Sequence, residues 1–97
     1  MAVFQNAVKA NVAQSATSVT VKPATVGVGG FVIYNDSAAD LYLAAGSDAA
    51  SLTNYTWKVP SNGYLQEPGG NFLYIGPITG IWSAGGAGAA RVTTFSV

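Results

Sequence analysis

The chain has 97 residues, enough for one small domain, and its four basic and four acidic residues leave no net charge. Because it contains no Cys and no His, the usual zinc, haem and iron–sulfur ligand sets and the Ser–His and Cys–His nucleophile pairs are excluded. Four scattered cations cannot form the basic stripe that nucleic acid requires, and no window approaches the roughly 18 apolar residues of a membrane span, so neither partner is expected.

The low charge also favours a chain that assembles with other subunits. Charged residues make up 8% of the chain, whereas soluble proteins average about 25%. A neutral surface stays soluble when identical or related subunits cover much of it. We therefore expect a homo-oligomeric assembly subunit, and the alternative is a monomer with a neutral, Ser/Thr/Asn-rich surface.

Residues 1–16 form an extended N-terminal arm in this interpretation, which leaves 17–97 as a β-sandwich domain. The arm carries apolar residues interrupted by polar ones, and only one charge, Lys9. Such an arm would dock on the core of its own chain or, in the assembled particle, along a neighbouring subunit. An ordinary first strand of the sandwich is the alternative, because termini are often tied into a sheet.

The rest of the chain alternates short β-forming runs with Gly, Asn, Ser and Pro, which predicts an all-β fold. The spacing is typical of a small antiparallel β-sandwich or barrel of about eight strands. The predicted strands cover 17–22, 31–35, 40–45, 54–60, 64–67, 72–75, 78–83 and 91–96. A short helix within 38–51 is the alternative to the third of them.

Turn residues predict how some of these strands are joined. The short 36–39 connection suits a β-hairpin between its flanking strands. Asn62-Gly63 predicts a turn, since both residues adopt positive φ readily. The strands at 78–83 and 91–96 are expected to form a final pair around the Gly/Ala-rich loop 84–90. Within 54–60, alternation places Tyr55, Trp57 and Val59 on one face.

Candidate chemistry is sparse. Asp36, Asp40 and Glu67 would have to carry any acid–base reaction unaided, so we expect no catalytic residue. Asn35, Asp36, Ser37 and Asp40 could offer oxygens to Ca²⁺, but the spacing does not match an EF-hand loop and hairpin-loop chemistry explains the same residues. We therefore expect no metal and no cofactor.

The aromatic residues are the stronger candidates for recognition. Alternation favours the core for Trp57 and Trp82, while the tyrosines could form an interface or a sugar-stacking platform. The candidate interface residues are Val3, Phe4, Val8, Val12, Tyr34 and Tyr42.

Four segments within residues 28–95 form a recognisable series. They are a YNDS…LYL…G segment, NYTWKVPSNGYLQEP, YIGPITGIW, and RVTTF after a Gly/Ala loop. In this series, residues 28–95 resemble small virion structural proteins of tailed bacteriophages. The resemblance implies a β-sandwich or β-barrel protein of the capsid surface, neck or fibre base, often trimeric. It carries no catalytic motif.

The expected function is structural: a decoration or cement protein that stabilises a phage head by binding where capsid subunits meet. Its partners would be the major capsid protein or other virion proteins, and itself, with a trimer favoured. Its place would be the virion, after synthesis in the bacterial cytoplasm. A neck, tail or head-fibre component and a carbohydrate-binding module are the alternatives.

Overall fold

The computed structural model describes residues 5–24, 28–46, 48–67 and 74–96, and every regular element within them is a β-strand. The predicted all-β class is therefore confirmed. The described part of the chain contains no helix that could cross a membrane. The strands are β1 (Asn6–Ala13), β2 (Val19–Lys22), β3 (Val28–Asp36), β4 (Leu41–Ala45), β5 (Trp57–Val59), β6 (Tyr64–Glu67), β7 (Ile78–Trp82) and β8 (Ala89–Ser96).

These strands form two antiparallel four-stranded sheets. Sheet A has the order β1-β8-β3-β6 and sheet B the order β2-β7-β4-β5. Of the described strands that follow each other in the chain, β4 and β5 alone are also neighbours in a sheet. An eight-stranded double sheet built from such non-sequential pairs is a jelly roll. The expected antiparallel β-sandwich is thus confirmed, with this topology.

The core lies between the sheets and follows the period of two residues along each strand. Phe31 and Ile33 of sheet A, and Leu41 and Leu43 of sheet B, are completely buried. Trp82 of β7 is the largest fully buried side chain, as its alternation predicts. Trp57 is half-buried and packs against the same cluster.

The connection between β3 and β4 does not close the predicted hairpin, because the two strands lie in different sheets. The hydroxyl of Ser37 lies 2.7 Å from Asn35 Oδ1 and 2.9 Å from the carbonyl oxygen of Ala39, and it accepts from the Ala39 N–H at 3.2 Å. These bonds fold the connection inward over the end of the sandwich. The chain therefore passes from sheet A to sheet B, whereas a hairpin would have kept both strands in one sheet.

Asn35 is completely buried at this crossing and its side chain is fully hydrogen-bonded. Its amide nitrogen donates to three carbonyl oxygens, those of Ala39 at 2.8 Å, Val59 at 3.0 Å and Pro60 at 3.1 Å. Its Oδ1 accepts from Trp82 Nε1 at 3.0 Å. Since Asn35 lies in sheet A and Val59 and Trp82 in sheet B, one carboxamide bonds the two sheets together.

The predicted turn at Asn62-Gly63 is confirmed, with φ of 62° at Asn62. It carries the chain from β5 in sheet B to β6 in sheet A. Asn62 N–H donates to the carbonyl oxygen of Asn35 at 2.9 Å, and Asn35 N–H donates to that of Gly63 at 2.9 Å. The turn is thus anchored on the backbone of the same buried residue.

Three other strand expectations are wrong in part. The expected final pair is split, since β7 lies between β2 and β4 while β8 lies between β1 and β3. Tyr74 and Ile75 lie outside regular structure, and the Tyr74 hydroxyl donates to the Pro77 carbonyl oxygen at 2.9 Å. Positions 72–73 lie outside the described residues. The strand expected from residue 54 begins only at Trp57.

The segment around 38–51 is not helical where it is described. It contains β4, after which residues 48–56 run over the outer face of sheet B. Ala50 is buried there, and its N–H donates to Thr79 Oγ1 at 2.9 Å. Tyr55 packs against Tyr42 on this outer face, so it does not share the inward face of Trp57 and Val59.

The described part of the predicted arm is a strand of the sandwich. β1 pairs with β8 of the same chain in an uninterrupted register from Asn6↔Ser96 to Ala13↔Ala89. The polar residues of this segment alternate with Val8, Ala10 and Val12, so the pairing places the apolar set on the inner face. The segment thus adopts the alternative of an ordinary first strand.

We expect Asn35→Ala to lower the free energy of unfolding by about 2–4 kcal/mol, because it removes the acceptor of buried Trp82 Nε1 and the donor to three carbonyl oxygens. Urea unfolding followed by tryptophan fluorescence measures the loss. Asn54→Ala is the matched control at an exposed asparagine, with an expected change within about 0.5 kcal/mol. Equal effects of the two variants would contradict the structural role of Asn35.

We expect Gly80→Ala to lower the free energy of unfolding by about 1–3 kcal/mol through overpacking. A Cβ at this buried position would lie 2.6 Å from Val21 Cγ2 and 3.2 Å from Leu41 Cδ1. Gly85→Ala is the control, since a Cβ there would meet nothing within 4 Å. A Gly80→Ala variant as stable as the control in urea would show that the side chains of β2 and β4 do not pack this closely over Gly80 within sheet B.

Candidate docking surface

β1 differs from the other edge strands of the sandwich. β2 has four residues, a register irregularity between Thr20 and Lys22, and a proline directly after it; β5 and β6 have three and four residues. β1 has eight residues, a continuous register and no proline. Proteins normally protect edges with short strands, bulges or prolines, because an open edge pairs with other chains. Among the residues that the structure describes, β1 shows none of these three protections, and Lys9 is the charged residue that it carries.

The backbone groups that β1 presents at its free edge can be identified from the hydrogen bonds around it. Gln14 N–H donates to the carbonyl oxygen of Gly88 at 2.9 Å, so even-numbered residues of β1 direct their backbone groups toward β8. A second bond gives the same result. Asn35 N–H donates to the carbonyl oxygen of Gly63 on the β6 side, so the even-numbered residues of β3 direct their backbone groups toward β8. The registers of β3 with β8 and of β8 with β1 then assign the even-numbered residues of β1 to β8. The outward set is Ala7, Lys9, Asn11 and Ala13.

The inner face of β1 lines an apolar groove between the two edge strands β1 and β2. Val12 packs against the core, while Val8 remains 64% exposed. The groove has a volume of about 260 Å³, larger than a cavity of about 150 Å³ that holds benzene. Its lining residues are Val8, Ala10, Val21, Lys22, Pro23, Val92 and Thr94.

Lys22 is buried beside this groove, although simple alternation would direct it to solvent opposite Val21. The register irregularity between Thr20 and Lys22 turns both Val21 and Lys22 inward. The Lys22 ammonium donates to the carbonyl oxygen of Gly76 at 2.9 Å and lies 5.3 Å from the centre of the Phe31 ring. Burial lowers the pKa of Lys22 from its ordinary value, since desolvation disfavours the charged form.

The predicted interface residues fall at separate places. Val8 and Val12 share the inner face of β1, whereas Val3 and Phe4 lie outside the described residues. Tyr34 lies on the outer face of sheet A and Tyr42 on the outer face of sheet B; both are half-buried. The structure thus brings together two of the six candidates.

Tyr42 belongs to a small cluster on the outer face of sheet B. Its ring lies 4.8 Å from that of Tyr55, at an interplanar angle of 70°. Lys58 Nζ lies 5.5 Å from the centre of the Tyr42 ring and 3.7 Å from Asp40 Oδ2. Tyr42 and then Asp40 raise the pKa of Lys58. The edge-to-face rings do not form the coplanar pair on which a sugar would stack.

Sequence reasoning named the tyrosines as candidates but did not predict which polar residues lie beside them on the outer face of sheet A. The strand registers align Asn11, Arg91, Tyr34 and Tyr64 across all four strands. Tyr64 is 67% exposed and adjoins Tyr34, whose hydroxyl donates weakly to Asn62 Oδ1 at 3.5 Å. Alternation in β6 and β8 could have placed Tyr64 and Arg91 outward, but their neighbours depend on the sheet order.

The two aspartates considered for Ca²⁺ have separate basic partners. Asp36 Oδ2 accepts from Arg91 at 3.0 Å on the face of sheet A, while Asp40 contacts Lys58 beside sheet B. Within the described ranges, no three acidic side chains approach one another closely enough to hold a metal. Both carboxylates thus lie in ordinary surface ion pairs.

The lowered pKa of Lys22 predicts how stability changes in alkali. The unfolded chain holds this proton up to a higher pH than the folded chain does, so the contribution of Lys22 to unfolding free energy should rise as the pH approaches 10.5. Urea unfolding of the native chain and Lys22→Met over this range should show their stability difference shifting in favour of the native chain. Lys58→Met should give the opposite slope, because the raised pKa of Lys58 makes its contribution fade with rising pH. The same slope in both comparisons would contradict the burial of Lys22.

Comparison with known proteins assigns the chain to no family. No family model, no curated protein and no solved structure matches the chain. We therefore infer the role of the β1 edge from its own residues.

Proposed function

We propose that the chain is a structural protein of a tailed-bacteriophage virion, and specifically a decoration or cement protein that binds where capsid subunits meet. The resemblance of residues 28–95 to small virion proteins supports this role. The jelly roll is compatible with it, since viral capsid domains use this architecture, but lectin domains and cupins use it too. Fold alone therefore supports the proposal only by analogy.

The observation that carries the proposal is the unprotected edge of β1 beside an apolar groove. The outward backbone groups of Ala7, Lys9, Asn11 and Ala13 offer a template for a further strand. Val8 and the groove offer apolar area next to it. A chain with so few charges has little electrostatic protection at this edge, so a protein partner should cover it.

The proposed role is mechanical, and we propose no enzymatic activity for the chain. Each copy adds backbone hydrogen bonds and buried apolar surface between subunits. At about 25 cal/mol per Å² of buried apolar surface, a few hundred Å² per copy strengthens a shell that carries many copies. The major capsid protein or another virion protein and further copies of this chain are the proposed partners. The trimer expected from the resemblance remains a prediction.

The outer face of sheet A favours a second candidate, a carbohydrate-binding module. Tyr34 and Tyr64 adjoin each other there, with Asn11 and Arg91 in the same row as polar donors. An aromatic pair flanked by such groups could stack on a sugar ring. We rank this candidate below the virion role because Tyr34 is half-buried, which leaves Tyr64 as the mostly exposed ring of the pair.

Phage particles that encode the chain provide the test. We expect mass spectrometry to find the chain in purified DNA-filled heads, and cryo-electron microscopy to place it in symmetric copies between capsid subunits. Density at the neck, tail or fibre base would instead support the alternative virion role. Absence from the particle, together with saturable binding of the isolated chain to a glycan array, would replace the virion role with the carbohydrate-binding one.

A further inference from the structure

We propose that β1 pairs with β1 of a second copy, antiparallel and about a twofold axis at Ala10. This inference rests on the self-association in the proposed function, and it replaces the trimer implied by the resemblance with a dimer. The second copy is then the protein partner that covers the β1 edge. The two sheets A would then join into one continuous sheet. The same edge serves both copies, which is the requirement for a closed, isologous dimer.

The hydrogen-bonding pattern selects this register. The outward residues of β1 are Ala7, Lys9, Asn11 and Ala13, and they are symmetric about Ala10. A twofold axis at Ala10 therefore places Ala7 opposite Ala13 of the second copy and Lys9 opposite Asn11. All four residues of each strand then lie in hydrogen-bonded pairs, for about eight bonds between the copies. A shift by two residues leaves outward groups unpaired.

Charge and apolar packing select the same register. An axis at Lys9 would set the two Lys9 side chains directly opposite each other, which is destabilising. The axis at Ala10 faces Lys9 with the neutral amide of Asn11. On the inner face it sets exposed Val8 against Val12 of the second copy, in a pair type whose side chains approach closely.

The other edges of the sandwich do not offer this match. β2 is short and irregular, and β5 and β6 are no longer than half of β1. The groove at β1 would lie next to the groove of the second copy, so the contact extends beyond one strand pair. An interface of this kind is small, and we expect a dissociation constant in the micromolar range.

Sedimentation velocity of the purified chain across the micromolar range tests the proposal. We expect a reversible monomer–dimer equilibrium. Asn11→Pro removes an N–H that points away from β8 and puts a proline ring against the second strand, so it should weaken dimerisation about a hundredfold. Asn11→Ala is the matched control: it keeps the N–H and should keep the dimer. Circular dichroism at concentrations that give monomer checks that each variant is folded.

Charge variants test the register without proline. Asn11→Lys places the introduced lysine of each copy opposite Lys9 of the other copy. The two repulsive pairs should weaken the dimer about threefold to tenfold. Adding Lys9→Glu to Asn11→Lys should restore it, because each introduced carboxylate then faces an introduced ammonium group of the second copy. A chain that stays monomeric, a trimer indifferent to Asn11→Pro, or charge variants that fail to follow this pattern would overturn the proposal. Such results would leave the chain's presence in the virion an open question for the particle experiment.

Discussion

The carboxamide of Asn35 is the interaction on which the two-sheet arrangement depends. A sandwich core of aliphatic and aromatic side chains is held by burial, which has little directionality. Asn35 adds direction, because its amide and carbonyl bond to β5, β7 and the crossing loop at once. A buried polar group with every partner in place favours one arrangement of the two sheets over alternatives of similar apolar burial.

Asn35 also explains why the two ends of sheet A differ. It lies opposite Ala90 of β8, at the end where Trp82 and the crossing loop close the sandwich. The apolar groove lies toward Val8 and Thr94, at the other end of β8. At that end sheet B contributes the short strand β2, which does not cover the whole inner face of β1. The hydrogen bonds of Asn35 thus lie at the closed end, and the candidate docking surface lies at the open end.

The distribution of charge strengthens this division. Asp36 and Arg91 pair with each other, as do Asp40 and Lys58, and Lys22 is buried. Lys9 is the basic residue of the docking edge, and its side chain points to the outer face. The edge itself therefore presents backbone groups and small apolar side chains. Such a surface recognises another strand better than it recognises a charged ligand.

The sequence by itself determined most of the strands after β1, the inward residues within most of them and the positive φ at Asn62, because these depend on local alternation and turn chemistry. Only the tertiary structure decided which strands are neighbours. A period of two residues distinguishes the faces of a strand but says nothing about its partner, so β3 and β4 were expected to form a hairpin and β7 and β8 a pair. Tyr55 was misplaced for a related reason, because a loop over sheet B redirects it. An irregularity in β2 likewise turns Lys22 inward, against simple alternation. β1 shows the same limit, because pairing with β8 made a strand of a segment whose local pattern suggested an arm.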